Sequence, residues 1–208
     1  MSRLLPIVGL ALCLLAGAVR AQDDAATDQL LERLNQISYL QGQFRQRQFD
    51  GSDVVLAESS GRFKLLRPFF FIWEISSPDK QLIVANAEYL WHYDIDLQTA
   101  TRRPVVGNVE ASPLQILGGD ESVLREKYTV RKDNDDSFTL TPIKDSQGFR
   151  QLTVTFDAGI MRRMDIVDRL GQRVIVDFDQ VDAQTPLTSS DFEFTAPPGD
   201  VDLFYYDD

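Results

Sequence analysis

The stretch from Gly61 to Ile75 limits what this chain can fold into more than any other. Its odd positions Phe63, Leu65, Phe69, Phe71, Trp73 and Ile75 are apolar, whereas the even ones mix Arg62, Lys64 and Glu74 with Leu66, Phe70 and Ile72. Alternation with a period of two predicts strand with one buried face. Pro68 cannot donate to a hydrogen-bond ladder, so the run is expected to be one strand bent in the middle, ending near Leu66 and resuming near Phe69. Arg67 is the one odd position that is not apolar. If parity survives the bend, a guanidinium that keeps its charge lies beside an aromatic face and needs acceptors for its five donors.

The chain opens with Arg3, an apolar run from Leu4 to Ala18 and then Val19-Arg20-Ala21 before Gln22. That run is too short to span a bilayer as a helix, and the small residue at Ala21 suits leader cleavage, so residues 1–21 read as a secretory signal peptide and residues 22–208 as a single mature domain. Leu12 before Cys13 is not the small residue a lipid-attachment site requires. The mature protein is therefore expected to begin at Gln22, to lack cysteine and to be stabilised by its core alone. Lys and Arg number 21 against 32 Asp and Glu, a net −11, and loss of Arg3 and Arg20 with the leader makes the balance more acidic still. Such a charge argues against nucleic acid and against anionic membrane surfaces as partners.

From Thr27 the pattern predicts a helix, with Thr27 as cap and Leu30, Leu31, Leu34, Ile37 and Leu40 as an apolar stripe. Short strands separated by turn signals follow: Gln41 to Phe49, Asp50-Gly51-Ser52, Val54 to Ala57, and, after Ser76-Ser77-Pro78-Asp79, Gln81 to Ala85 and Tyr89 to Asp94. Links this short predict an antiparallel meander. The rhythm stops between Gly107 and Tyr128, where Ser112-Pro113 starts a short helix containing Leu114 and Leu117, and Gly118-Gly119 ends it before a further turn from Ser122 to Arg125. Hairpins resume from Tyr128 to Phe178 and give about ten or eleven strands in all, more than a flat sheet holds without curling.

Arg67-Pro68 followed by the aromatic run and Trp73-Glu74, with Pro78 and Leu90-Trp91-His92-Tyr93-Asp94 beyond, resembles the periplasmic outer-membrane lipoprotein carrier (LolA) family over nearly the whole mature chain. The fold expected is mainly β with short helices: a curled antiparallel sheet, an incomplete β-barrel, covered by a helical lid. The resemblance implies a cavity for the acyl chains of lipoproteins, and with the strand parity it suggests Phe63, Leu65, Phe69, Phe71 and Trp73 on the sheet and Leu114 and Leu117 on the lid as lining. It also implies that Arg67 is the lid clasp, bonded to backbone carbonyls near Leu117 and Gly118. The implied partners are acylated lipoproteins, an ATP-driven lipoprotein-releasing transporter in the inner membrane and an outer-membrane lipoprotein receptor, with the protein a periplasmic monomer.

Motifs for chemistry are lacking: no Gly-x-Ser-x-Gly elbow, no phosphate loop, and a single histidine, His92, without a neighbouring cysteine or second histidine. Neither an enzyme nor a metal or cofactor site is expected. Two other readings stand beside the carrier. One is a periplasmic sensor of lipid or lipoprotein with the same half-barrel, the other an ordinary sandwich whose aromatics fill a solid core and which would not brighten an apolar dye.

Overall fold

The computed structural model describes residues 25–105, 121–144, 148–197, 199 and 201–206. Helix α1 occupies residues 25–35 and buries Leu30, Leu31 and Leu34, each such burial worth about 1.5–3 kcal/mol. Thr27 is a buried residue inside this helix rather than its cap, because Ala25 and Ala26, strong helix formers, carry the helix further upstream. Ile37 and Leu40 continue the buried series beyond the helix, with Leu40 already on a strand.

Twelve strands follow among the described residues: β1 (Tyr39–Phe49), β2 (Val55–Leu66), β3 (Phe70–Ser77), β4 (Gln81–Ala85), β5 (Tyr89–Asp94), β6 (Thr99–Pro104), β7 (Tyr128–Asn134), β8 (Ser137–Pro142), β9 (Gln151–Asp157), β10 (Ile160–Val167), β11 (Arg173–Asp182) and β12 (Asp202–Tyr205). A short helix, α2 (Glu121–Lys127), precedes β7 and buries Leu124. These strands join one open sheet in the order β12-β6-β5-β4-β3-β2-β1-β11-β10-β9-β8-β7. Each of these pairings is antiparallel except β12 with β6.

The Gly61–Ile75 stretch corrects the expectation of a single bent strand. It is a hairpin: β2 and β3 run antiparallel through a tight turn over residues 67–69, with a cis peptide between Arg67 and Pro68. Reversal about that turn sets Phe63 opposite Trp73 and Leu65 opposite Phe71, odd against odd, so the parity read from the sequence survives a change of direction. Phe69 does not. It belongs to the turn, not to β3, and is 49% exposed.

Curvature has a local cause. The β1–β11 register shifts between Gln41 and Gln43, and the β2–β3 register shifts between Ser60 and Gly61. Such irregularities bend a strand and increase its twist. Gly42 and Gly61 sit at these places, opposite Phe63 and Phe44 respectively. A Cβ on Gly42 would lie 2.9 Å from the Asp179 carbonyl oxygen and 3.2 Å from the Phe63 ring, and one on Gly61 would collide with the Glu74 carbonyl. Only glycine allows the strands to close up there, and each glycine faces an aromatic residue on the neighbouring strand.

The sheet is apolar on both faces over β3 to β6. Phe71, Trp73, Ile83 and Ala85 face α1 and the main core, whereas Val84, Tyr93 and Ala100 are buried on the opposite, convex side. The C-terminal segment covers that side. A 3-10 turn, Ser189–Phe192, sets a fully buried Phe192 ring 5.7 Å from Phe70. Phe194 follows at 4.7 Å from Trp91 and 5.9 Å from Tyr93, and β12 then adds to the sheet edge.

Candidate functional site

Four rings from four strands meet under α1. Phe44 of β1 stacks on Trp73 of β3 with centroids 3.6 Å apart, Phe63 of β2 meets Phe178 of β11 edge-on at 5.0 Å, and Trp73 lies 6.2 and 6.3 Å from Phe63 and Phe178. Leu40, Leu65, Phe71 and Met161 complete this floor, and all eight side chains are buried. The cavity left among them is about 10 Å3, room for one water at most. A small-molecule site of ordinary size holds about 300–1,000 Å3, so in this structure the floor is closely packed.

Of the lining residues expected from the sequence, the structure brings together Phe63, Leu65, Phe71 and Trp73 on one apolar floor. Phe69 stands apart for the reason given above. Leu114 and Leu117, and the carbonyls expected near Leu117 and Gly118, lie outside the described residues, as does the leader through residue 21 with its cleavage site. Sequence reasoning missed Leu40, Phe44, Met161 and Phe178. Period-two spacing in Val174, Val176 and Phe178 marks their strand, but only the pairing of β1 with β11 carries Phe178 to the rings of β2 and β3.

Arg67 sits at the rim, half-buried at the β2–β3 turn. Its main-chain N–H donates to the Ser38 carbonyl at 3.0 Å, and its Nη1 donates to Asn35 Oδ1 at 3.1 Å, which ties the turn to the last residue of α1. Removal from water pushes its pKa below the ordinary arginine value, yet a group that starts so high stays charged. A half-buried cation whose neighbours include an amide oxygen on a covering helix is a polar tie at the mouth of an apolar floor.

His92 is exposed and shares a hydrogen bond at 3.2 Å with Gln81 on the adjoining strand. Among the described residues no three of His, Cys, Asp and Glu gather as a metal site would need, and no helix is long and apolar enough to cross a membrane. Cross-strand ladders outside the floor hold carboxylates in ion pairs such as Arg45–Asp179, Arg47–Asp177 and Arg62–Glu74.

The family described as "Outer membrane lipoprotein carrier protein LolA" matches residues 35–195. The outer-membrane lipoprotein carrier protein of Coxiella burnetii (strain CbuK_Q154) is 35% identical over 200 residues, 94% of each chain. That of Pseudomonas aeruginosa (strain UCBPP-PA14) is 32% identical over 192 residues, 91% of this chain and 92% of the relative. Among solved structures, an uncharacterized conserved protein from Thermus thermophilus superposes with a TM-score of 0.53 at 17% identity, covering 88% of this chain and 98% of the other. A putative outer membrane lipoprotein-sorting protein domain from Vibrio parahaemolyticus gives 0.50 at 12% identity, covering 82% and 97%. At such identities the structural likeness speaks for the fold, an open curled sheet, while the sequence match spans most of the chain: this protein belongs to the outer-membrane lipoprotein carrier family, LolA.

Proposed function

We propose that the chain is a non-catalytic periplasmic carrier that takes the acyl chains of lipoproteins onto the floor beneath α1. The observation that carries this reading is the floor itself: eight buried apolar side chains, four of them stacked or edge-packed rings, with about 10 Å3 between them and a helix above. A dry, collapsed floor under a detachable cover can open for an apolar chain without leaving a water-filled void in the empty protein. The demand is large. Each methylene is held in a bilayer by about 0.8 kcal/mol, so a multiply acylated protein is held by tens of kcal/mol. With no nucleotide motif in the chain, work for extraction falls to a partner, and the family supplies the expected pair: an ATP-driven transporter at the inner membrane as donor and an outer-membrane receptor as acceptor.

Arg67 fits the clasp in this scheme. A cation bonded across the mouth stabilises the closed empty state, and because opening must break that bond, it subtracts from the grip on lipid and eases hand-over. The leader pattern of residues 1–21 supports a periplasmic mature protein that starts at Gln22.

The test is purification of the tagged protein from the periplasm followed by intact-mass and lipid analysis. Co-purified triacylated or diacylated protein, released by detergent, is the expected result. A protein that carries no acylated cargo in cells and leaves the fluorescence of an apolar dye unchanged would have a solid core there instead.

A further inference from the structure

We propose that Arg33 is a positioning residue for cargo, latching α1 over the β8–β9 wall so that its release extends the cavity in that direction. The inference rests on the acyl-chain reading above. Arg33 projects from α1 to the β7–β8 turn, where Nη2 donates to the Asp135 carbonyl at 2.6 Å and Nη1 pairs with the Asp136 carboxylate at 3.1 Å. Its guanidinium also lies over two rings, 6.0 Å from the centre of Phe138 on β8 and 5.6 Å from that of Phe156 on β9. These rings are buried and meet each other edge-on at 6.2 Å.

Three features make this contact a latch. The first is connectivity. The C-terminal end of α1 is joined to β1 by residues 36–38, so any lifting swings the helix about that short link, and Arg33, in the last turn, holds it to the β7–β8 turn close to the pivot. The second is where the polar ties lie. Arg33 holds α1 to the β7–β8 turn, and Asp28, a turn earlier, accepts from Arg125 of α2 at 2.6 Å. Both ties are made by side chains that retain contact with water, and each is of the kind that breaks at low cost.

The third is what Arg33 stands on. Phe156 is the register partner of Met161, and Met161 lines the small central cavity beside Phe178. The apolar floor is therefore continuous from the Trp73 cluster through Met161 to Phe156 and Phe138. With Arg33 seated, a cation and its acidic partners close that end; with it lifted, two aromatic faces lose a favourable cation contact and gain an opening for an acyl chain.

A latch and a structural brace differ in the sign of their effect on binding. Removing a brace weakens empty and loaded protein alike, whereas removing a latch that exists only in the closed form raises affinity for the ligand that needs the open one. The experiment uses the mature chain and the probe 11-(dansylamino)undecanoic acid, with variants Arg33→Gln, Arg33→Lys and, as control, Arg45→Gln, whose arginine pairs with Asp179 on the convex face. Amide hydrogen exchange over residues 25–35 in the empty protein and probe affinity are the two readouts. Exchange about tenfold faster in that segment and probe affinity about tenfold tighter are expected for Arg33→Gln, a smaller change of the same sign for Arg33→Lys, and parental values for Arg45→Gln.

Unchanged exchange in α1 overturns the latch whatever the probe does. Faster exchange throughout the chain with weaker probe binding overturns it too, in favour of a brace. A parent protein that binds no probe, with α1 exchange still selectively raised in Arg33→Gln, overturns the acyl-chain reading and leaves the latch standing.

Discussion

Over β3 to β6 the two faces of the sheet are both apolar and both covered, yet the covers are attached by different means. On the convex face the C-terminal segment inserts Phe192 and Phe194 among Phe70, Trp91 and Tyr93 and then becomes a strand, its register running from Asp202 opposite Thr99 to Tyr205 opposite Arg102. Its attachment is backbone ladder plus buried ring. The Arg102 guanidinium, 4.2 Å from the centre of the Tyr89 ring and 4.5 Å from that of Tyr205, fastens it further. On the concave face α1 presses three leucines onto the floor, and its polar ties include side-chain contacts at its edges: Arg33 to the β7–β8 turn, Asp28 to Arg125, and Asn35 to Arg67. Ladder bonds form and break together with a strand, whereas side-chain ties can be released one at a time. This difference in attachment supports the concave side as the working surface of the proposed carrier.

The sharpest way to break this comparison is to damage the permanent cover. Phe192 is fully buried, so Phe192→Ala should cost about 3–5 kcal/mol and lower the melting temperature by roughly 6–20 °C for a domain of this size. Affinity for an acyl probe in the surviving folded protein should stay at the parental value. If probe binding shifts along with the melting temperature, the two faces are coupled and the division of roles fails.

Next in size is a charge on the concave floor. Phe71 is buried opposite Leu65, so Phe71→Leu keeps most of its apolar area while Phe71→Glu sets an ionisable group where desolvation is costly. The glutamate variant is expected to lose acceptance of acylated cargo and the leucine variant to keep it, with circular dichroism confirming that both are folded. A folded Phe71→Glu protein that accepts cargo as the parent does would remove Phe71 from the site.

The clasp gives a smaller, opposite effect. Arg67→Leu removes charge-assisted hydrogen bonds, each worth about 1.5–3 kcal/mol, from the closed state alone. Cargo should be bound about tenfold or more tightly and passed to the acceptor more slowly, and Asn35→Ala should reproduce part of that change. Loading and delivery at parental rates in Arg67→Leu would show that the mouth is not held by this residue.

How much of this was legible beforehand follows from which residues are neighbours in sequence. Phe63, Leu65, Phe71 and Trp73 could be placed on one face because a turn centred on Pro68 pairs odd positions with odd, so parity holds whether the strand bends or reverses. The reversal itself was hidden: the turn lacks the Gly or Asn that usually announces a hairpin, and the apolar run continues across it as if unbroken. Phe44 and Phe178 belong to the same ring cluster but to strands far apart in the chain, and nothing local shows that β1 pairs with β11. Gly42 and Gly61 give no local sign of their role. They are where the sheet turns its corner, a role set by carbonyls of neighbouring strands rather than by adjacent sequence. The convex cover was equally obscure, since Phe192 and Phe194 pack on Phe70, Trp91 and Tyr93, residues about a hundred or more positions away in the chain.

The smallest effect tests where the permanent cover begins. Asp182 ends β11, and its carboxylate accepts from the Thr185 side chain, the main-chain N–H groups of Gln184 at 2.7 Å and Thr185 at 3.1 Å, and Gln41 Nε2 at 3.4 Å. These donors favour the ionised form and pull its pKa from 3.8 to about 2 although the group is exposed to water. A folded-state pKa below the unfolded one means that the turn is supported fully above the ordinary carboxylate value and loses that support as pH falls from about 3.8 toward about 2. Carboxyl NMR should therefore find Asp182 titrating near pH 2 in the folded protein. Asp182→Asn, which can accept but carries no charge, should lower stability slightly and by a constant amount above about pH 4, with the gap to the parent closing below it. A titration midpoint near 3.8 would mean that the donors do not hold the carboxylate in solution, and that the crossing from β11 onto the convex face is fixed by the rings of Phe192 and Phe194 rather than by the turn that launches it.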